Sequence, residues 1–594
     1  MNNAGKKKRS KKTKKVLSPD ELKRIEQRKE RIAHMKSVRA ILNNIGFTRV
    51  PNVEGYEFSF DSIKTELDDA FVYDNLILIL EYTAGKPHDH LKSKSIFYQR
   101  FREDTSGFIS FLRQGHIPGL KQAIDDIINN GYQESEIICK IAYASKNDVE
   151  EEDKTSYERT GISFFDYPIV QYFSIISRTI KKSARFEFFD FLGIDPHKVG
   201  PDRYQSEQKN SFTAQILPES RSLMERGYYV ISMYISPADL LRRVYVLRND
   251  SWREQESANL YQRLLDAKKV KSMRKYLSTK KYVYINNIIV TLDSKNIALY
   301  NKNDERLNLT STGIVGLDGN TSELAKIEIK DRPNIIGIID GQHRVFSYHE
   351  GDDSEEVSIS KLRDKHNLLV TGILFPGTTS EPERRRFEAN LFLEINSKQQ
   401  SPRSELKQKI AEMLEPLSPA SISQKIIKKL NSSGPLEKHF ESHFYEQDKI
   451  KTATIISYGL KPLIKLSGDD SLFSIWKEPK KDLLLSEPVD DETLAKYIDY
   501  CVESIRNAFI AFKQKTPSGE WAVSKKGQPG ILSVVYVNGM LNLIRLCIER
   551  NKNCDLAFFQ KAFAQIEDVS FIREFHSSQY RKLGEKMYQD YFEH

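Results

Sequence analysis

At 594 residues the chain is too long for one ordinary core, and about two to four domains are expected. With 39% apolar and 29% charged residues, no uncharged apolar run of about 18 residues and no apolar h-region near the amino terminus, it reads as a soluble globular protein. A membrane span and a secretory signal are excluded by this reading, and the cytoplasm is the expected location.

The first sixteen residues, "MNNAGKKKRSKKTKKV", hold eight Lys/Arg and no acid, so nearly all of the formal net charge of +9 belongs to them. Residues 1–17 are expected to form a basic disordered tail that attracts polyanions without reading sequence, or one that only keeps the chain in solution. "SPDELKRIEQRKERIAHMKSVRAILNNIG" then begins a helix. Ser18 caps it, Pro19 suits its first position, Glu21 completes a capping box and Gly46 stops it. Two or three strands are predicted between Gly55 and Thr83, helices over 88–130, a buried strand over 135–145 and a loop over the acidic residues 146–156. The aromatic-rich segment after residue 163 reads as packed helix faces rather than a base-stacking platform. Polar residues 195–211 form a candidate linker.

The stretch "ELDDAFVYDNLILILEYT", Glu66 to Thr83, carries the first chemistry. Two strands around Asp74-Asn75 predict a two-residue hairpin turn. In that register Asp68 faces Glu81 and Glu66 faces Thr83, all on one side of the sheet. Opposed β-carbons sit about 4.5–5.5 Å apart, so two acids there repel unless a divalent cation lies between them. Mg²⁺ suits one or two carboxylates and keeps waters for a phosphate substrate. The bland alternative is an exposed hairpin face with solvated or salt-bridged acids.

The order helix, strand, hairpin, helix, strand resembles the αβββαβ core of PD-(D/E)xK nucleases. The resemblance covers residues 18–210 and implies that Asp68 and Glu81 hold the metal. Thr83 stands where that family has a lysine. Lys92 or Lys94 of "HDHLKSKSIFYQRF", or Lys86, would then have to supply the ammonium. His88 and His90 flank Asp89 in the same segment and read as exposed loop histidines.

A second region begins near residue 226, with strands expected over 228–235, 286–292, 334–340 and 367–375. "NIIGIIDGQHRVFSYHEG", Asn334 to Gly351, hands a buried strand to a helix through Asp340-Gly341-Gln342-His343-Arg344. Gly341 permits a sharp turn, and the helix that follows directs free N–H groups toward it. Arg344 adds a fork suited to phosphate, Asp340 can order that Arg or hold a cation, and Gln342 and His343 donate and accept. An anion site is one reading; a capped turn with an internal Asp–Arg salt bridge is the other.

The pentapeptide matches letter for letter the motif of the DGQHR domain family, so residues 226–594 resemble that family. Residues 261–292 and "FEANLFLEINSKQQSPRSEL" (387–406) are similar to two further family segments. The resemblance implies a ParB/sulfiredoxin-like domain over 226–430 and a mostly helical part over 431–594, with Arg263, Asn396 and Gln399 lining the same pocket. It implies a setting in DNA modification of the phosphorothioate type, as in DndB-like proteins, or in phage defence. Gln342 replaces the cysteine of sulfiredoxin, which excludes thiol chemistry at that position. No P-loop occurs.

The fold expectation is therefore α/β and α+β multidomain. The leading functional expectation is a Mg²⁺-dependent DNA nuclease with a DGQHR module that binds DNA or a nucleotide. The rivals are a non-catalytic DNA-binding recruiter of a modification pathway, and a nucleotidase acting at the DGQHR turn. Partners would be DNA and modification or defence proteins, with no membrane; homo-oligomerisation stays open. The four cysteines read as core or surface thiols rather than zinc ligands or disulfides.

Overall fold

The computed structural model describes residues 19–200, 210–224, 228–246, 265–310, 313–317, 320–375, 379–397, 417–441, 446, 449–485, 490–517, 519–524, 530–550, 552, 554–576 and 578–593. The basic tail, Arg263 and Gln399 lie outside them. The protein is a mixed α/β chain with several sheets. No helix among the described residues is long and apolar enough to cross a membrane.

The first sheet follows from apolar alternation. Its strands in chain order are β1 (Thr48–Arg49), β4 (Asp69–Tyr73), β5 (Leu76–Thr83), β6 (Ile138–Ser145) and β7 (Ser163–Phe165), and they lie side by side in that order. β2 (Glu57–Phe60) and β3 (Ile63–Glu66) form a separate hairpin. β1, β4 and β5 run antiparallel, whereas β5, β6 and β7 run parallel. β4 and β5 pair Tyr73 with Leu76 and Asp69 with Leu80, the register expected for a two-residue Asp74-Asn75 turn. Asp74 takes the positive φ of 50° that this turn needs.

The expected strand from Glu66 is broken at Leu67 and Asp68. Glu66 pairs with Glu57 and Thr83 with Ser145, so Glu66 does not face Thr83. The reason is local: the Asp68 carboxylate accepts the Tyr82 N–H at 2.7 Å, on the strand edge where the β4–β5 ladder stops.

Side-chain alternation along β5 divides two cores. Leu76, Leu78, Leu80 and Tyr82 face one core with helix α1 (Pro19–Asn44). Ile77 and Ile79 face the other with helices α2 (Pro87–Glu103) and α3 (Pro118–Asn129). Glu81 falls by the same alternation on the α2 side. The acidic stretch expected as a loop contains a helix, Glu151–Tyr157, with Glu151, Glu152 and Asp153 in its first turn. Acids there complement the helix dipole. The aromatic segment builds α4 (Tyr167–Ile180), whose Phe173 and Ile176 are buried.

The second sheet has ten strands: β8 (Asn210–Leu217), β9 (Tyr229–Ile235), β10 (Val244–Val246), β11 (Ile288–Asp293), β12 (Ile297–Tyr300), β13 (Arg306–Thr310), β14 (Gly313–Val315), β15 (Glu323–Ile329), β16 (Ile336–Asp340) and β17 (Leu368–Phe375). Their order is β10-β16-β11-β17-β9-β8-β15-β12-β13-β14. Its four most apolar strands were legible in the sequence; β8 and β15 alternate polar and apolar residues and were not. Around it lie α5 (Ala267–Lys280), α6 (Gln342–Phe346), α7 (Glu356–Lys365) and α8 (Glu381–Ser397).

One apolar cluster joins the two sheets. It includes Val38 of α1, Phe173 and Ile176 of α4, Ile231 of β9, Val290 of β11 and Ile338 of β16. At the same junction Lys182 N–H donates to the Glu350 carbonyl at 3.2 Å, and Glu350 N–H donates to the Ser183 hydroxyl at 3.0 Å. The carboxy-terminal helices α9 (Pro419–Ser432), α10 (Asp491–Lys513), α11 (Val534–Glu549), α12 (Leu556–Phe563) and α13 (Tyr580–Tyr591) enclose a separate apolar core. All four cysteines are buried free thiols.

Candidate functional site

Glu81 is the sixth residue of β5, a strand whose every residue is buried, and its side chain is itself 0% exposed. Burial pushes its carboxyl up to about 8, with the Lys94 ammonium opposing and the Asp68 charge reinforcing the shift. Lys94 Nζ stands 3.1 Å from Glu81 Oε2. Apart from this ammonium, neither Glu81 oxygen has a hydrogen-bond partner among the described residues. A buried carboxylate so sparsely satisfied is costly, and it needs an explanation in a native fold.

Lys94 arrives from α2. Its Nζ donates to the Glu66 carbonyl at 2.5 Å and to Thr65 Oγ1 at 3.3 Å, so it ties the β3 end to β5. Lys92 is exposed on the same helix and makes no ion pair among the described residues. Asp68 is buried beside this group. Its Oδ1 accepts from Arg31 at 2.6 Å and its Oδ2 from the Tyr82 N–H at 2.7 Å. Each oxygen keeps a second lone pair. No group of three His, Cys, Asp or Glu side chains placed to hold a metal occurs among the described residues. Two carboxylates with waters nevertheless suffice for Mg²⁺, and the sparsely partnered oxygens of Glu81 fit such an ion.

Two further residues join the site: His90, expected as an exposed loop histidine, and Tyr98, which had no assigned role. His90 lies in the first turn of α2, not in a loop, and its ring stands 5.5 Å from that of Tyr143. Burial holds its imidazole below the usual range, helped by the Lys94 charge, and its buried Nδ1 has no partner among the described residues. Tyr98 is 0% exposed, its hydroxyl has no partner among the described residues, and it lies near enough to feel Glu81 and Asp68. His90, Lys94 and Tyr98 are four residues apart, which places them on one helix face. That spacing was the available signal. His88 is instead tied to Asp153, at 2.7 Å. Lys86 precedes α2 as its N-cap. The neighbouring acid Asp69 has a structural environment: it is 0% exposed and accepts from Arg39 at 2.6 Å and Arg49 at 2.8 Å.

At the Asp340–Arg344 turn, Gly341 has φ 95°, and a Cβ there would fall 2.6 Å from Cδ1 of Ile288. Only glycine serves this turn. The following helix α6 is five residues long, too short for the dipole argument to weigh much. Arg344 Nη2 donates to Asp340 Oδ2 at 2.8 Å, so the turn neutralises its own cation and an anion would compete with Asp340. Gln342 and His343 are buried. The His343 Nε2 accepts the Asp266 N–H at 3.1 Å, which docks the start of α5 on the turn. Asn396 belongs to α8, but its side chain lies outside the described residues.

No protein-family model matches the chain, and neither a curated protein nor a solved structure matches it. Among the described residues the Asp68, Glu81 and Lys94 group sets two buried carboxyls, one of them under-satisfied, beside an ammonium, a feature that sites of chemistry share. In the Asp340–Arg344 turn, Asp340 pairs with Arg344 Nη2, while Arg344 Nε is buried with no hydrogen-bond partner among the described residues.

Proposed function

We propose that the amino-terminal lobe is a Mg²⁺-dependent nuclease acting on DNA, with the lobe around the Asp340–Arg344 turn as its nucleic-acid- or nucleotide-binding module. The observation that carries this is Glu81: a fully buried carboxylate with one ammonium partner, beside a second carboxylate. Helix, antiparallel strands, helix and a strand parallel to β5 follow in the order that the PD-(D/E)xK resemblance implies, which supports the reading.

In this reading Asp68 and Glu81 hold the cation. Bound there, Mg²⁺ would polarise a phosphoryl oxygen and lower the pKa of a coordinated water. Lys94 takes the part of the absent lysine at position 83, stabilising the charge that develops on the phosphate. Buried surroundings strengthen that electrostatic contribution. Arg31 holds Asp68 in place and neutralises part of the local negative charge. The implied setting is DNA modification or phage defence.

The engagement of both Asp68 oxygens favours a second reading, a non-catalytic DNA-binding recruiter. Supercoiled plasmid incubated with Mg²⁺ separates the two. Nicking by the wild-type chain that stops in EDTA and falls at least about 100-fold in Glu81→Gln and in Lys94→Ala is the expected result. A mobility shift with intact plasmid, in Mg²⁺ and in Mn²⁺, selects the recruiter. Phosphate release from nucleotides that is lost in Arg344→Ala but kept in Glu81→Gln would select a nucleotidase.

A further inference from the structure

Residues 267–292 contain seven Lys/Arg and no acid. Arg274 is the exception among the seven: it is 1% exposed and faces inward. It bonds Asp353, Glu356 and the carbonyls of Ser347 and His349. The six lysines, Lys268, Lys269, Lys271, Lys275, Lys280 and Lys281, are all exposed, and none is in an ion pair among the described residues. Val270, Arg274 and Leu277 form the buried stripe of α5. Lys268, Lys271 and Lys275 lie on the opposite side at helical spacing.

Two aromatic rings are also exposed at the carboxy-terminal end of this helix. Tyr282 is 69% exposed and Tyr276 47% exposed. Tyr276 stacks on Tyr284 with centroids 6.0 Å apart and planes 17° apart. The Tyr284 hydroxyl is anchored on the Met273 carbonyl at 2.9 Å. The nearby acids are directed elsewhere: Asp353 and Glu356 toward Arg274, and Glu355 toward the Ser278 hydroxyl. The face is held rigidly, since Asp266 caps the helix and meets His343 of the turn.

We propose that the outward face of α5, with Tyr276 and Tyr282 at its end, binds single-stranded nucleic acid. Uncompensated lysines track the phosphates, and exposed rings stack on unpaired bases, which a duplex would not offer. The proposal rests on the reading above in naming nucleic acid as the partner.

The test is fluorescence anisotropy of a labelled oligothymidylate with the full chain in EDTA, over a series of salt concentrations. Lys268→Ala, Lys271→Ala and Lys275→Ala together should weaken binding roughly tenfold and flatten the log K against log salt slope by about two. The triple Lys→Arg variant should bind as wild type. Tyr282→Ala should weaken binding about fivefold or more. A triple alanine variant with unchanged affinity and slope overturns the proposal, as does a wild-type chain that does not bind. An unaffected Tyr282→Ala, or a duplex of the same length bound more tightly, removes the single-strand assignment. Because no cleavage is measured, a chain that binds here but never cuts plasmid retains this surface and loses the nuclease reading.

Discussion

Burial gives Glu81 a pH signature. Its folded-state value of about 8 lies above the ordinary 4.5 of a glutamic acid, so folding favours the protonated form. The associated stability is whole below about pH 4.5 and is lost as pH rises through about 8. Glu81→Gln cannot ionise. Thermal unfolding should therefore show wild type losing more Tm than Glu81→Gln between about pH 6 and pH 9. Mg²⁺ should restore wild type at the alkaline end and leave the variant unmoved, because only the ionised carboxylate binds it. Parallel Tm curves for the two chains would show that Glu81 does not titrate in this range. An acid ending a run of five apolar residues was legible as an anomaly in the sequence. What the string of letters did not disclose was that Arg31, from a helix more than thirty residues upstream, already holds Asp68.

At the scale of the element, α2 decides which lysine matters. Lys92 and Lys94 were equal candidates by distance along the chain. The buried positions Leu91, Phe97, Tyr98 and Phe101 fix the helix phase, turning Lys94 toward β5 and Lys92 to solvent. Lys94→Ala should cost about 3 kcal/mol at pH 9, where Glu81 is ionised and left unpaired, and less at pH 6. Lys92→Ala should stay within about 0.5 kcal/mol at both. Urea unfolding of the two variants at each pH checks this, and equal costs would contradict the pairing. The same phase argument would have found His90 and Tyr98. Helix was expected over 88–130, but His88 and His90 were set aside as exposed loop histidines, so the phase was not carried back to position 90. The β4–β5 register was legible from its turn, whereas the break at Asp68 depends on one side chain competing for a backbone N–H.

At the scale of the molecule, α1 and α4 fill the space between the two sheets, and their apolar faces belong to one cluster. Phe173 is 0% exposed within it. Phe173→Ala should destabilise by about 3–5 kcal/mol, and hydrogen exchange should show amides of β5 and of β17 losing protection together. Loss confined to β5 would mean that the sheets unfold as separate units. Such sharing is invisible to a reading by segments, because each helix is amphipathic toward a partner that lies far away in the chain. A mostly helical part was expected over 431–594, and the described helices there, α10 to α13, agree with it.

The margins of the ten-stranded sheet carry a consequence for life at high concentration. Among the described residues β10 and β14, its outermost strands, are three residues each. A border that short offers a neighbouring chain almost no unpaired N–H and C=O groups to zip onto. A sheet this wide would otherwise be a template for lateral growth into fibrils, a route that short outer strands disfavour.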